Sequence, residues 1–234
     1  MTSETIISHS VRHRSGELTI DQFKRMDQLA ISEYSVPIEL MMENAGLQLA
    51  RLVAGMIRPK GSIVIGVGPG NNGGGGLVAA RRLAGWGFEV SMEIPHYELK
   101  PLPAHQLKRA QASGAILGKD IHPDVYVDAY FGFSQRLPLP ERFQEAIKIA
   151  NTLEAKKVSL DLPSGFNANT GETLFIPDIV LTMAAPKKEL RKLNPIPELY
   201  VADIGIPVTL YEKLGIPQPA FQLTGYAKYK YLRL

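Results

Sequence analysis

Two hydrophobic periods alternate along the chain. Ile20, Phe23, Met26, Leu29 and Ala30 recur every three or four residues, the spacing of one helix face. Thr19 stands before this stripe as its predicted cap. Ser35-Val36-Pro37 interrupts it, and a second helix is expected from about Ile38 to Val53. Glu43 and Asn44 lie beside the Met and Ala stripe of that helix, either as its polar edge or close to a ligand. The period then shortens. Ser62-Ile63-Val64-Ile65 is a compact β-branched run of the kind that forms a buried strand. Further strands are predicted over Phe88–Ile94, within Asp124–Gly132, and over Lys157–Asp161, Ile179–Met183 and Leu199–Ile204. Between them, helical spacing returns at Leu77, Ala80 and Ala84, over Pro103–Ser113 and over Leu139–Leu153. Strands alternating with helices predict an α/β fold, a three-layer, Rossmann-like, mostly parallel doubly wound sheet. The N-terminal helices and the tail from Gln222 are additions to it. Residues 1–17 are expected to be a flexible tail and residues 18–234 a single domain.

The densest chemical signal follows the first strand. Gly66-Val67-Gly68-Pro69-Gly70-Asn71-Asn72-Gly73-Gly74-Gly75-Gly76 satisfies G-x-G-x-x-G from Gly68 to Gly73 and lacks the Lys-Ser/Thr ending of a P-loop. Glycines let backbone N–H groups approach an anion closely, and the following helix N-terminus adds a positive dipole end. The stretch is expected to be a loop, with a backbone at Gly75 free to use positive φ. Two other strands end on carboxylates, at Asp128 before Phe131-Gly132 and at Asp161 before Pro163-Ser164-Gly165. Ligands of open parallel sheets bind outside the carboxyl ends of the strands. Two carboxylates and an asparagine at that edge suit acid–base work or a hard cation held through oxygen. Asp capping of the following turns is the plainer alternative.

Composition narrows the function. The chain has 234 residues, 45% of them hydrophobic and 21% charged, with a formal charge of +3. Such a chain can build a sizeable core and has only a mild basic excess, so nucleic acid is not an expected partner. There is no cysteine, which excludes disulfides, thiolate metal sites and a cysteine nucleophile. The five histidines lack metal-ligand spacing, and Ser164 is not in a G-x-S-x-G context. No stretch approaches the roughly 20 apolar residues of a membrane span, and Met1–Leu18 has no apolar signal core. A cytoplasmic location is the expectation. Tyr226-Ala227-Lys228-Tyr229-Lys230-Tyr231 interleaves aromatic and basic residues, which could stack single-stranded bases but more readily forms a terminal strand or arm.

These motifs, in this order, resemble the YjeF N-terminal family, the NAD(P)H-hydrate epimerases, from about Leu18 to Ile216. The resemblance rests on Leu40-Met41-Met42-Glu43-Asn44-Ala45-Gly46, the loop from Gly68 to Arg81 and Val127 to Gly132. Asp161 to Gly165, Ala185-Pro186-Lys187 and Val201 to Pro207 extend it. It implies a Rossmann-like domain that interconverts the R and S forms of hydrated NADH or NADPH for cofactor repair. It also implies one potassium ion held by Asn72, Asp128 and Ser164. The substrate would be lined by Asn71, Asn72, Gly73, Gly74 and Gly75, by Gly132, Phe133, Ser134, Gln135, Arg136, Leu137 and Pro138, and by Asp161. Asp161 is the implied general acid/base. A homodimer and a separate dehydratase acting on the S form are the implied partners. The chain departs from the pattern at Gly75, where the family carries aspartate, and within Phe133–Pro138, where a glycine before the proline is absent. The first departure supports an alternative: a catalytically impaired relative serving as a nucleotide-, RNA- or protein-binding module.

Overall fold

A computed structural model describes residues 16–96, 98–118, 122–221 and 225–231. Thr19 caps helix α1 (Ile20–Ser32): its Oγ1 accepts from the Gln22 N–H at 3.1 Å, and Gln22 Oε1 accepts from the Thr19 N–H at 2.8 Å. Helix α2 (Ile38–Ala54) follows Pro37. Then come β1 (Ser62–Val67), α3 (Asn71–Gly85), β2 (Glu89–Glu93), α4 (Pro101–Ala112), the two-residue β3 (Ile116–Leu117) and β4 (Val125–Ala129). The second half holds α5 (Glu141–Thr152), β5 (Lys156–Leu160), β6 (Ile179–Met183), β7 (Glu198–Ala202), α6 (Val208–Lys213) and β8 (Tyr226–Tyr229).

All eight strands form one sheet in the order β3-β2-β1-β4-β5-β6-β7-β8, parallel except for the antiparallel β7–β8 pair. Alternation along the strands separates its two faces. Ile63, Ile65, Val125 and Val127 face a core shared with α1, α2, α3, α4 and α6. Val64 and Tyr126 face α5 through Phe143, Ala146 and Ile147. The three-layer doubly wound prediction therefore holds. The short elements β3 and α6 carry too few residues to show a period and are additions to it. No described helix is long and apolar enough to cross a membrane.

Two local expectations change. Glu17, placed in the tail by its polar neighbours, is buried and accepts from Arg191 Nε at 2.9 Å and Tyr229 Oη at 2.7 Å. Residues 1–15 lie outside the described residues. The glycine run is also not one loop. Gly66 ends up in β1, and α3 already begins at Asn71, so Gly73 to Gly76 are helical. Glycine is a poor helix former, costing about 1 kcal/mol per residue against alanine. Packing overrides that cost: a Cβ on Gly73 would stand 2.0 Å from the Gly68 carbonyl oxygen, and one on Gly76 2.6 Å from Ala129 Cβ. The glycines thus serve close approach to the loop and the sheet, and not chain reversal.

The aromatic tail forms β8, the edge strand of this same sheet. Tyr226 to Tyr229 pair with Ala202 to Leu199, and Tyr226 packs edge-on against Tyr200 at 5.7 Å. Leu232 and Arg233 lie outside the described residues.

Candidate active site at the carboxyl edge of the sheet

The strand order reverses between β1 and β4, so a crevice opens there between the loops that leave the two strands. Gly66 pairs with Asp128, and Asp128 with Ser159, which sets three neighbouring strands in step at their carboxyl ends. A cavity of about 250 Å³ lies at this edge. Asn71, Asn72 and Gly75 of α3 form one wall, Gly132 to Gln135 a second, and Phe23 and Asp27 of α1 a third, with Asp161 among the lining residues.

Asp128 is fully buried and stands behind that wall. Its Oδ1 accepts from Ser164 Oγ at 2.5 Å and the Tyr130 N–H at 3.2 Å. Its Oδ2 accepts from the Ser164 N–H at 2.8 Å and Ser159 Oγ at 3.0 Å. All four donors are neutral. Burial pushes the carboxyl up to about 6, and these hydrogen bonds oppose the shift without cancelling it. Ser164 Oγ in turn accepts from the Phe131 N–H at 3.1 Å. Asp128 and Ser164 therefore tie the β4 and β5 loops to each other.

Asp161 has different surroundings. It adopts φ 71°, a left-handed conformation that an aspartate holds at a cost of the order of 1 kcal/mol. Its N–H donates to the Leu181 carbonyl at 2.8 Å, which fixes the turn. Its Oδ2 accepts from the Phe133 N–H at 2.7 Å, while Oδ1 accepts no hydrogen bond. Lys187 Nζ is 3.4 Å from Oδ1, an ion pair rather than an aligned hydrogen bond. Lys187 is itself fully buried, donates to the Met183 carbonyl at 2.6 Å and sits 3.6 Å from the Phe23 ring centroid. Burial lowers its ammonium to about 8, against the pull of Asp161.

Residues 38–189 match the family described as YjeF-related protein N-terminus. The chain belongs to this family. It is 34% identical to a protein of Rhodopirellula baltica named NAD(P)H-hydrate epimerase, over 85% of this chain and 88% of that protein. A protein of the same name from Dehalogenimonas lykanthroporepellens is 32% identical over 85% of this chain and 86% of its own length. The crystal structure of yeast ynu0 shares the fold, with a TM-score of 0.80 at 22% identity, covering 91% of this chain and 99% of that one.

For this YjeF-type domain the residues expected from sequence divide into three groups. Asn71, Asn72, Gly75, Gly132, Phe133, Ser134, Gln135 and Asp161 line the cavity. Gly73 and Gly74 do not: the first packs on Gly68 and the second on Met42, and the Gly74 N–H already donates to the Gly70 carbonyl at 3.0 Å. Arg136, Leu137 and Pro138 are exposed beyond the cavity wall, because the chain leaves the β4 loop there toward α5. Gly75 is helical and does not use positive φ. A Cβ on it would meet only Leu160 Cδ2, at 3.1 Å. Asn72 Nδ2 donates to the Leu160 carbonyl at 3.2 Å, leaving its buried Oδ1 without a partner. That oxygen and Asp161 Oδ2 both flank Gly132, at 3.2 and 2.7 Å from where a Cβ would stand.

Two residues were missed. Asp27 lines the cavity one helical turn beyond Phe23, and Lys187 pairs with Asp161. Asp27 carried a usable signal, a carboxylate four residues after Phe23 at the margin of an apolar stripe. Lys187 stands in the Ala185-Pro186-Lys187 motif of the resemblance, but nothing local signalled its pairing with Asp161, which follows another strand.

Proposed function

We propose that this protein is an NAD(P)H-hydrate epimerase, interconverting the R and S forms of hydrated NADH or NADPH. The observation that carries the reading is Asp161, a cavity carboxylate with an unbonded Oδ1, within a domain of the YjeF-related family whose relatives bear that name. The hydroxyl of the hydrated ring is on carbon six, beside a ring nitrogen whose lone pair assists its departure. The planar iminium that results is open to water from either face. A carboxylic acid gives the leaving oxygen its proton, and a carboxylate takes one from the incoming water. Asp161 is suited to this exchange, and its charge also favours the transient cation. The first N–H groups of α3, at Asn71, Asn72 and Gly73, have no carbonyl of their own helix to bond and suit the pyrophosphate.

A potassium ion fits the neighbouring residues. Asn72 Oδ1 is buried without a partner, and the Asp128 charge has only neutral donors around it. Asn72, Asp128 and Ser164 would hold the ion through oxygen, and it would supply the positive charge that this buried carboxylate lacks. A homodimer in the cytoplasm, working with a separate dehydratase specific for the S form, completes the proposal.

The test is a coupled assay. Protein is mixed with R-NADHX, an S-specific dehydratase and its ATP or ADP, and NADH is followed by absorbance. Recovery well above the spontaneous rate, lost in Asp161→Ala, is expected. Binding of the nucleotide without acceleration would make this a member of the family retained for binding, with Gly75 as the first suspect.

A further inference from the structure

Inversion at one carbon through a planar cation sets a condition that Asp161 alone does not meet. The hydroxyl leaves from one face of the ring and the water that inverts the centre arrives on the other. A carboxylate fixed on one side protonates and deprotonates oxygen on that side only. Asp161 is fixed: the Phe133 N–H holds Oδ2, Lys187 pairs with Oδ1, and the Leu181 carbonyl anchors its backbone.

The same cavity contains a second carboxylate, reached from a different element. Asp27 lies on α1, on the wall that Phe23 begins, whereas Asp161 follows β5. Among the described residues no side-chain hydrogen bond or ion pair engages Asp27, so its oxygens are available to a ligand. Lys187, which pairs with Asp161 and rests on the Phe23 ring, acts on Asp27 only through its charge. Lys100 at the start of α4 also lines the cavity, and Glu189 acts on Lys187 from outside it. With two carboxylates and one buried ammonium, a single proton on the pair leaves the unit neutral. Burial, and after it the Asp161 charge, raise the Asp27 carboxyl, with Lys187 opposing.

We propose that Asp27 is the second acid–base group of the site, serving the ring face opposite to that served by Asp161. The proposal rests on the epimerase reading above. In one direction the Asp27 carboxylic acid gives its proton to the C6 hydroxyl as the C–O bond breaks. The bonding pair leaves with oxygen as water, and the nitrogen lone pair forms the C=N bond. Water on the other face then donates a lone pair to C6, the C=N electrons return to nitrogen, and the surplus proton passes to the Asp161 carboxylate. One water has left and one has entered, and one proton has moved from Asp27 to Asp161. The enzyme in that second protonation state is set to convert the opposite epimer.

The experiment is oxygen exchange. Each pure epimer of NADHX is incubated in H2 18O with wild type, Asp27→Asn, Asp27→Glu and Asp161→Asn. Epimer ratio is read by chromatography, label at C6 by mass spectrometry, and folding by melting temperature. Wild type should epimerise and exchange together. Asp27→Asn should lose epimerisation by about 10²-fold or more, yet still catalyse exchange with retention in one epimer. Asp161→Asn should do the same with the other epimer, and Asp27→Glu should recover part of the rate. Should the amide variant not fold, Asp27→Ala takes its place. Wild-type epimerisation in the Asp27 variant overturns the proposal. So does joint loss of exchange and epimerisation in a folded variant, which would make Asp27 a positioning residue. A wild-type protein that accelerates neither process overturns the epimerase reading itself, and this proposal with it.

Discussion

Asp128 and Asp161 end or follow neighbouring strands, both are buried, and both precede a glycine turn, yet they do different work. Asp128 spends both oxygens on Ser159, Ser164 and the Tyr130 N–H, and it stands behind the cavity wall. Asp161 keeps one oxygen unbonded, adopts a left-handed backbone and pairs with a buried ammonium at the cavity. A carboxylate saturated by neutral donors joins two loops and can attract a cation. A carboxylate with an unbonded oxygen and a charge partner can exchange a proton with a ligand. The difference lies in what touches each carboxylate: hydroxyls and amides at Asp128, the Lys187 ammonium at Asp161.

The largest expected effect breaks the ion pair at Asp161. Lys187→Met leaves a buried carboxylate without its cation and should destabilise the protein by about 3–5 kcal/mol, read from urea unfolding. A loss no greater than that of an ordinary surface substitution would mean that Asp161 is not charged in the native protein. The same pair predicts a pH limb. Lys187 loses its proton near pH 8 in the native state, below its ordinary range, so epimerisation should fall as pH rises through about 8. The sign for stability is opposite: between about 8 and 10.5 the unfolded chain binds the extra proton, so this lysine's contribution to stability grows as pH rises.

A smaller effect sharpens the role of Asp128. Potassium at a hundred times its dissociation constant should stabilise the protein by about 2.7 kcal/mol against heat, and Asp128→Ala should abolish that response. A variant that responds to potassium like the wild type would remove Asp128 from the ion site. Gly75→Asp should change least. It needs only a few tenths of an ångström from the Leu160 methyl group, so stability should move by less than about 1 kcal/mol while the epimerisation rate rises. A lower rate would mean that the site is organised around glycine.

Much of this site was legible before the fold. Asp128, Asp161 and Asn72 stand at the sheet edge where their positions after strand-like runs put them, because such runs and the glycine turns behind them are local signals and ligands of parallel sheets bind at that edge. The capping of α1 by Thr19 and Gln22 was equally local, since both partners lie within one helical turn. The glycine run was misjudged for a physical reason. Helix propensity counts glycine as a breaker, but whether a helix survives it depends on what packs against it, here the Gly68 carbonyl and Ala129. Arg136 was expected at the ligand from the resemblance, but the chain has left the cavity by that point.

The sequence by itself determined the α/β architecture and the sheet edge at which the polar strand-end residues gather, because strand ends, turn residues and caps are local properties of the chain. Only the tertiary structure decided which carboxylate is saturated and which is available, and that Lys187, 26 residues from Asp161 and on the far side of β6, is its partner. It also decided that Asp27, from the first helix, enters the same cavity. Burial and ion pairing depend on distances between segments remote along the chain, and hydrophobic periodicity carries no record of those distances.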